Sequence, residues 1–194
     1  PGDPPLEPPR RDPRVDRLRC AGVPGDPHDV ERSGVAWSGV DQSAPDLARA
    51  VEGCFGARRM KCLATMRSSG WPRLSETSGV LIAAGHVWLL MIPSAKSSDV
   101  ERDGRVAVHC GSPTDEWGVS ARLTGWARAA DDGMRGRLFE HAPSLAGRDE
   151  ASLSIYALTL TEVVVTGPDP ESGEIAIEWW TPGGGLRRTT RPGG

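Results

Sequence analysis

The spacing of apolar and polar positions changes once along the chain, and the change separates a helical segment from a run of strands. From Ser43 onward Leu47, Ala50, Val51, Cys54 and Phe55 recur at three-and-four spacing, the face of one amphipathic helix. Ser43 is the expected N-cap, Pro45 and Asp46 suit a first turn, and Gly56 with Arg58 and Arg59 marks the exit. Beyond it the period falls to two. Lys61 to Arg67 predicts a strand, Ser69-Gly70 a turn and Pro72 to Ile82 a second strand, after which Ala84-Gly85 turns the chain into His86 to Ile92. A short helix over Ser97 to Arg102 precedes a strand from Arg105 to Cys110, and Val119 to Ala130 alternates through Val119, Ala121 and Leu123. Asp131-Asp132 caps another short helix carrying Met134, Leu138 and Phe139. Ser154 to Thr166 and Glu174 to Trp180 are the last two strands, joined by a Pro/Gly turn.

Strands that follow one another through short turns pair as an antiparallel meander rather than a βαβ sheet. The predicted fold class is mainly β: an antiparallel, Greek-key-like barrel of about six to seven strands with short flanking helices, occupying residues 43–190 as one domain. Residues 1–40 hold eight of the seventeen prolines with scattered Arg and Asp and show neither period, so this Pro/Arg-rich N-terminal tail is expected to be disordered.

Composition narrows the function classes. Hydrophobic residues at 38% and charged residues at 25% describe a soluble globular protein, and a net charge of −3 gives no electrostatic reason to expect nucleic acid or an anionic membrane as partner. No apolar run is long enough to span a bilayer and no secretion signal opens the chain, which points to a cytoplasmic protein. Cys20, Cys54, Cys62 and Cys110 form no CxxC pair and have no histidine at zinc-ligand spacing, so no metal site is expected; Cys54, Cys62 and Cys110 suit buried free thiols. His28, His86, His109 and His141 lie in unrelated segments and no serine occupies a G-x-S-x-G elbow, which disfavours a hydrolase. Seven tryptophans against two phenylalanines suit a subunit interface or a planar ligand, although most are expected to be packing residues.

One local string carries phosphate chemistry. Ser94-Ala95-Lys96 sits where a strand gives way to a helix: Ser94 offers a hydroxyl, Lys96 a point charge and the helix its free N–H groups. Lys96 is one of only two lysines in an arginine-rich chain. Arg73 can add a two-point grip from the preceding strand, with Ser75 and Thr77 on the same face.

The runs KCLATMRSSGWPRLSE (Lys61 to Glu76) and HVWLLMIPSAKSSDVERDGRVAVH (His86 to His109) resemble the pyridoxamine 5′-phosphate oxidase-like, FMN-binding split β-barrel family, and the resemblance covers about residues 43–190. It implies an FMN-dependent oxidoreductase acting between the flavin and a small-molecule or nicotinamide partner, with the FMN phosphate on Ser94 and Lys96. The family commonly has a second cation where this chain has Ala95, which shifts weight to Arg73. The resemblance further implies that Ser75, Glu76, Thr77 and Ser78 run along the ribityl chain and ring edge, that Leu89 and Leu90 pass beside the flavin, and that Trp180 and Arg187 reach the flavin of a second subunit. A homodimer is implied with them. No catalytic residue is identified; the alternatives are a deazaflavin-dependent oxidoreductase and a flavin- or haem-binding module without turnover.

Overall fold

The computed structural model describes residues 34–111 and 118–193, so the N-terminal tail lies outside the described residues apart from 34–40. Those seven residues are not tail-like. Val35 exchanges backbone hydrogen bonds with Leu160 (3.0 and 2.7 Å), and helix α1 (Trp37–Ser43) buries Trp37 and Val40. Ser43 therefore ends one helix instead of capping the next: its Oγ donates to the Gly39 carbonyl at 2.6 Å, and Ala44 breaks the chain before α2 (Pro45–Ala57). With only Trp37 and Val40 to bury, α1 shows too little periodicity to be read from sequence. In α2 the predicted face is buried through Leu47, Val51, Cys54 and Phe55.

The strands are β1 (Lys61–Met66), β2 (Pro72–Thr77), β3 (Val80–Ala83), β4 (His86–Met91), β5 (Arg105–Cys110), β6 (Ser120–Ala129), β7 (Ser154–Pro168), β8 (Ile175–Thr181) and β9 (Gly185–Arg191). Helix α3 (Ala95–Arg102) follows β4 and α4 (Asp132–His141) follows β6. All pair antiparallel in one sheet ordered β2-β1-β5-β6-β7-β4-β3, with β8 and β9 continuing from β7. Its two end strands are successive in the chain, separated only by Ser78 and Gly79, so the sheet must curl until its ends meet. This is a split barrel with flanking helices.

Two strand expectations are corrected. Pro72 to Ile82 is not one strand: at Ser78-Gly79 the chain leaves β1 and begins pairing with β4, and the Gly79 carbonyl accepts from Leu90 N–H at 2.7 Å. Only glycine fits there, because a Cβ would lie 1.9 Å from the Leu90 oxygen. The chain also continues past Trp180 into β9, whose seven residues are all exposed and so carry no alternation to detect. The Ala84-Gly85 turn is as expected, with positive φ at both residues joining β3 to β4.

The barrel interior packs Leu63, Val87, Leu89, Val108, Leu123, Leu160 and Val163 beneath α2. A second cluster forms outside, where α4 lays Leu138 over Trp88, Ile155 and Ala157. Alternation along β4 explains both: Val87 and Leu89 point into the barrel while Trp88 points to the α4 side, its Nε1 donating to Ala83 O at 2.9 Å. Each such side chain contributes about 1.5–3 kcal/mol by burial.

Candidate functional site

Helix α3 opens with a reciprocal cap. Ser94 Oγ accepts from Ser97 N–H at 3.4 Å, and Ser97 Oγ accepts from Ser94 N–H at 2.8 Å. The helix is then fastened to the barrel through Asp99, a buried carboxylate that accepts from Arg73 Nε at 2.6 Å, Thr65 Oγ1 at 3.0 Å and Arg102 Nη2 at 3.1 Å. The Arg73 hydrogen bond, with those of Arg102 and Thr65, holds the Asp99 carboxyl below the usual carboxylate range against the opposing effect of burial. β1, β2 and α3 are thereby tied at one point.

One turn before Asp99, Lys96 reaches back across β2 and its Nζ donates to the Glu76 carbonyl at 2.8 Å. Lys96 and Glu76 lie on the wall of a cavity of about 470 Å³, within the range that takes a drug-sized ligand. Thr77, Ser78 and Gly79 continue that wall, with Thr77 Oγ1 accepting from Gly79 N–H at 3.2 Å and bracing the bend. Val80, Leu81, Leu90, Met91 and Ile92 supply an apolar floor, and Ser144, Leu145, Arg148 and Leu153 face it from the segment between α4 and β7; Met60 completes the rim. Ile92 and Met60 are 66% and 45% exposed, apolar surface at the cavity mouth that a ligand or a second chain would cover.

The structure brings together Glu76, Thr77, Ser78, Leu90 and Lys96 from the expected set. The others lie elsewhere. Ser94 uses its hydroxyl as the α3 cap, Leu89 is fully buried in the barrel, and Ser75 is half-buried on β2 opposite Leu63. Arg73 is engaged with Asp99 and does not line the cavity. Trp180 is buried on β8 opposite Val163, and Arg187 is exposed on β9 opposite Trp179. Neither Trp180 nor Arg187 is on the cavity lining. Arg148, Ser144, Leu145 and Leu153 were not expected. Gly147, with φ +77°, marks the turn that presents Arg148, and this is the one local signal for it.

No protein-family model and no curated protein sequence matches the chain. Solved structures do match. PhzG from Burkholderia lata 383, in complex with tetrahydrophenazine-1-carboxylic acid, superposes with a TM-score of 0.51 at 14% identity over 95% of this chain and 98% of its own. A FAD-binding protein from Mesorhizobium loti gives 0.50 at 16% identity over 63% and 93%. A heme binding protein from Mycobacterium smegmatis gives 0.49 at 19% identity over 73% of this chain, which spans only 57% of that protein. At these identities the likeness to the first two is one of fold alone.

Proposed function

We propose that the cavity is the cofactor site of an FMN-dependent oxidoreductase of the pyridoxamine 5′-phosphate oxidase-like kind. The observation that carries the reading is convergence: Lys96, the Glu76–Ser78 edge and Leu90, picked out from the sequence for a phosphate, a ribityl chain and a ring, line the same cavity. The residues suit a flavin. Lys96, in the first turn of α3, is a donor for a phosphate, the Thr77 and Ser78 hydroxyls suit a polyol, and Leu81 with Leu90 offers an apolar surface to a ring. When bound, FMN supplies the hydride chemistry; these residues bind it, orient it and keep water from its apolar face. A small-molecule or nicotinamide partner would exchange the hydride.

Haem is less well served, because among the described residues the lining offers Met60 and Met91 but no histidine, cysteine or tyrosine as axial ligand. A homodimer belongs to the same reading: Trp180 and Arg187 do not line the cavity of their own chain, and the resemblance has them meet the flavin of a second subunit. The test is addition of FMN to the purified protein with flavin fluorescence as readout. Saturable quenching is expected, and Lys96→Ala should raise Kd more than tenfold, about 1.4 kcal/mol. A protein that takes up no FMN refutes the reading, and unchanged affinity in Lys96→Ala makes that lysine a surface residue.

A further inference from the structure

A phosphate monoester is best held by more than one cation, and Ala95 removes the neighbour of Lys96 that would serve. Arg73, the expected substitute, is engaged through Nε with Asp99 at 2.6 Å and lies outside the cavity lining. Most arginines nearby have partners too: Arg102 bonds Asp99, Arg105 bonds Asp103, and Arg135 donates to Glu150 O. Arg148 differs. It is exposed, it lines the same cavity as Lys96, and its guanidinium has no partner among the described residues. Its backbone is nonetheless placed: Arg148 N–H donates to Leu145 O at 3.0 Å, and Leu145 is buried against Leu138 and Trp88 in the outer cluster. The arginine thus stands on an anchored turn with an uncommitted head.

We infer that Arg148 is the second phosphate-binding cation of this cavity, supplied across it from the turn before β7 in place of the residue adjacent to Lys96. Two cations from separate elements, with Glu76 the one acid on the lining among the described residues, give the cavity a net positive wall, and Ser144 on the same lining adds a hydroxyl. A guanidinium contributes two parallel N–H donors to phosphate oxygens, which an ammonium does not. The inference rests on the cofactor reading above and extends it to a residue that no phosphate motif marks.

The test compares FMN with riboflavin, which lacks the phosphate, in titrations of the full chain. Arg148→Ala should weaken FMN about tenfold and leave riboflavin within twofold, and Arg148→Lys should recover part of the FMN affinity. If both cations grip one phosphate, Lys96→Ala and Arg148→Ala combined should lose less than the product of the single losses. Because Arg148 is exposed, its replacement should leave the thermal midpoint unchanged, and that is measured alongside. Wild-type protein that binds FMN while Arg148→Ala binds it equally overturns the inference alone, as does an equal loss for both flavins. Wild-type protein that binds neither flavin overturns the cofactor reading and the inference with it.

Discussion

Replacing Asp99 by Asn keeps the side chain's volume and removes its charge, which isolates what that carboxylate does for α3. Three donors converge on it: Arg73 at 2.6 Å, Thr65 at 3.0 Å and Arg102 at 3.1 Å. Hydrogen bonds to a charged partner are worth about 1.5–3 kcal/mol each when shielded, and breaking a fully buried ion pair costs about 3–5 kcal/mol. Water competes here, since the Arg73 and Arg102 side chains are 28% and 41% exposed, so the Arg102 contact counts as a surface pair of about 0–1 kcal/mol. The expected loss in Asp99→Asn is about 2–3 kcal/mol. For a domain of this size that lowers Tm by roughly 5–10 °C, and Arg102→Ala should cost no more than about 1 kcal/mol.

The acid limb gives an independent check. The folded Asp99 carboxyl titrates below its ordinary value of 3.8, chiefly through the Arg73 hydrogen bond. Its stabilisation is therefore complete above that ordinary value and is lost as pH falls below it toward the folded pKa. Urea unfolding of wild type and Asp99→Asn between pH 7 and pH 3 should show the gap between them narrowing only below about pH 4. Lys96 lies one turn from Asp99, so FMN affinity should fall in the variant as well. A change under about 0.5 kcal/mol at pH 7, or a gap that does not narrow in acid, refutes the account of Asp99 as the fastening of α3.

Two further predictions concern the glycines and the thiols. Gly79→Ala would place a methyl 1.9 Å from the Leu90 oxygen, backbone that cannot step aside, so it should destabilise by about 2 kcal/mol or more and reshape the cavity wall. Gly53→Ala, exposed in α2 with nothing within 4 Å, should stabilise by about 0.5–1 kcal/mol; thermal melts that place both variants on the same side of wild type contradict the assignment. Cys54 and Cys110 are buried side by side, with Cys110 Sγ 3.1 Å from Cys54 O, and burial pushes the Cys110 thiol up to about 12, whereas Cys62 is half-buried. Alkylation mapped by mass spectrometry at pH 8 should modify Cys62 ahead of Cys54 and Cys110, and Cys110 labelling as fast as Cys62 in folded protein would contradict that packing.

The fold was legible where its determinants are local. The α2 face, the Ala84-Gly85 turn and the alternation of β6 through Ala121 and Leu123 each need only neighbours in sequence and stand as expected, whereas Val119, expected to open that alternation, lies before β6 and is exposed. The features that escaped depend on distant partners. Nothing between Pro72 and Ile82 shows that Gly79 meets Leu90 rather than β1, because the close approach is made by a strand eleven residues away. β9 is a strand only because β8 pairs with it, and Trp37 is a core residue only because α1 docks on the β3–β4 turn through Ser38 N–H and Gly85 O at 3.0 Å.

The candidate site divides along a different line, the accounting of charge. A sequence displays cations but not their partners, so Arg73 and Lys96 looked alike as candidates for one phosphate. What separates them is Asp99, which in sequence is an ordinary acid on a short helix and in space is a buried acceptor facing Arg73. Arg73 gives that carboxylate its Nε–H, so moving the guanidinium away from Asp99 toward the cavity would leave a buried carboxylate short of a donor, a cost of several kcal/mol. Among the described residues the Arg148 guanidinium has no such tie, and Lys96 has one backbone carbonyl, that of Glu76. Among the described residues, the cations that line the cavity are therefore two whose own fold asks little of them. The arginine of the strand pattern thus stands outside the cavity lining, while one on an unpatterned turn is part of it.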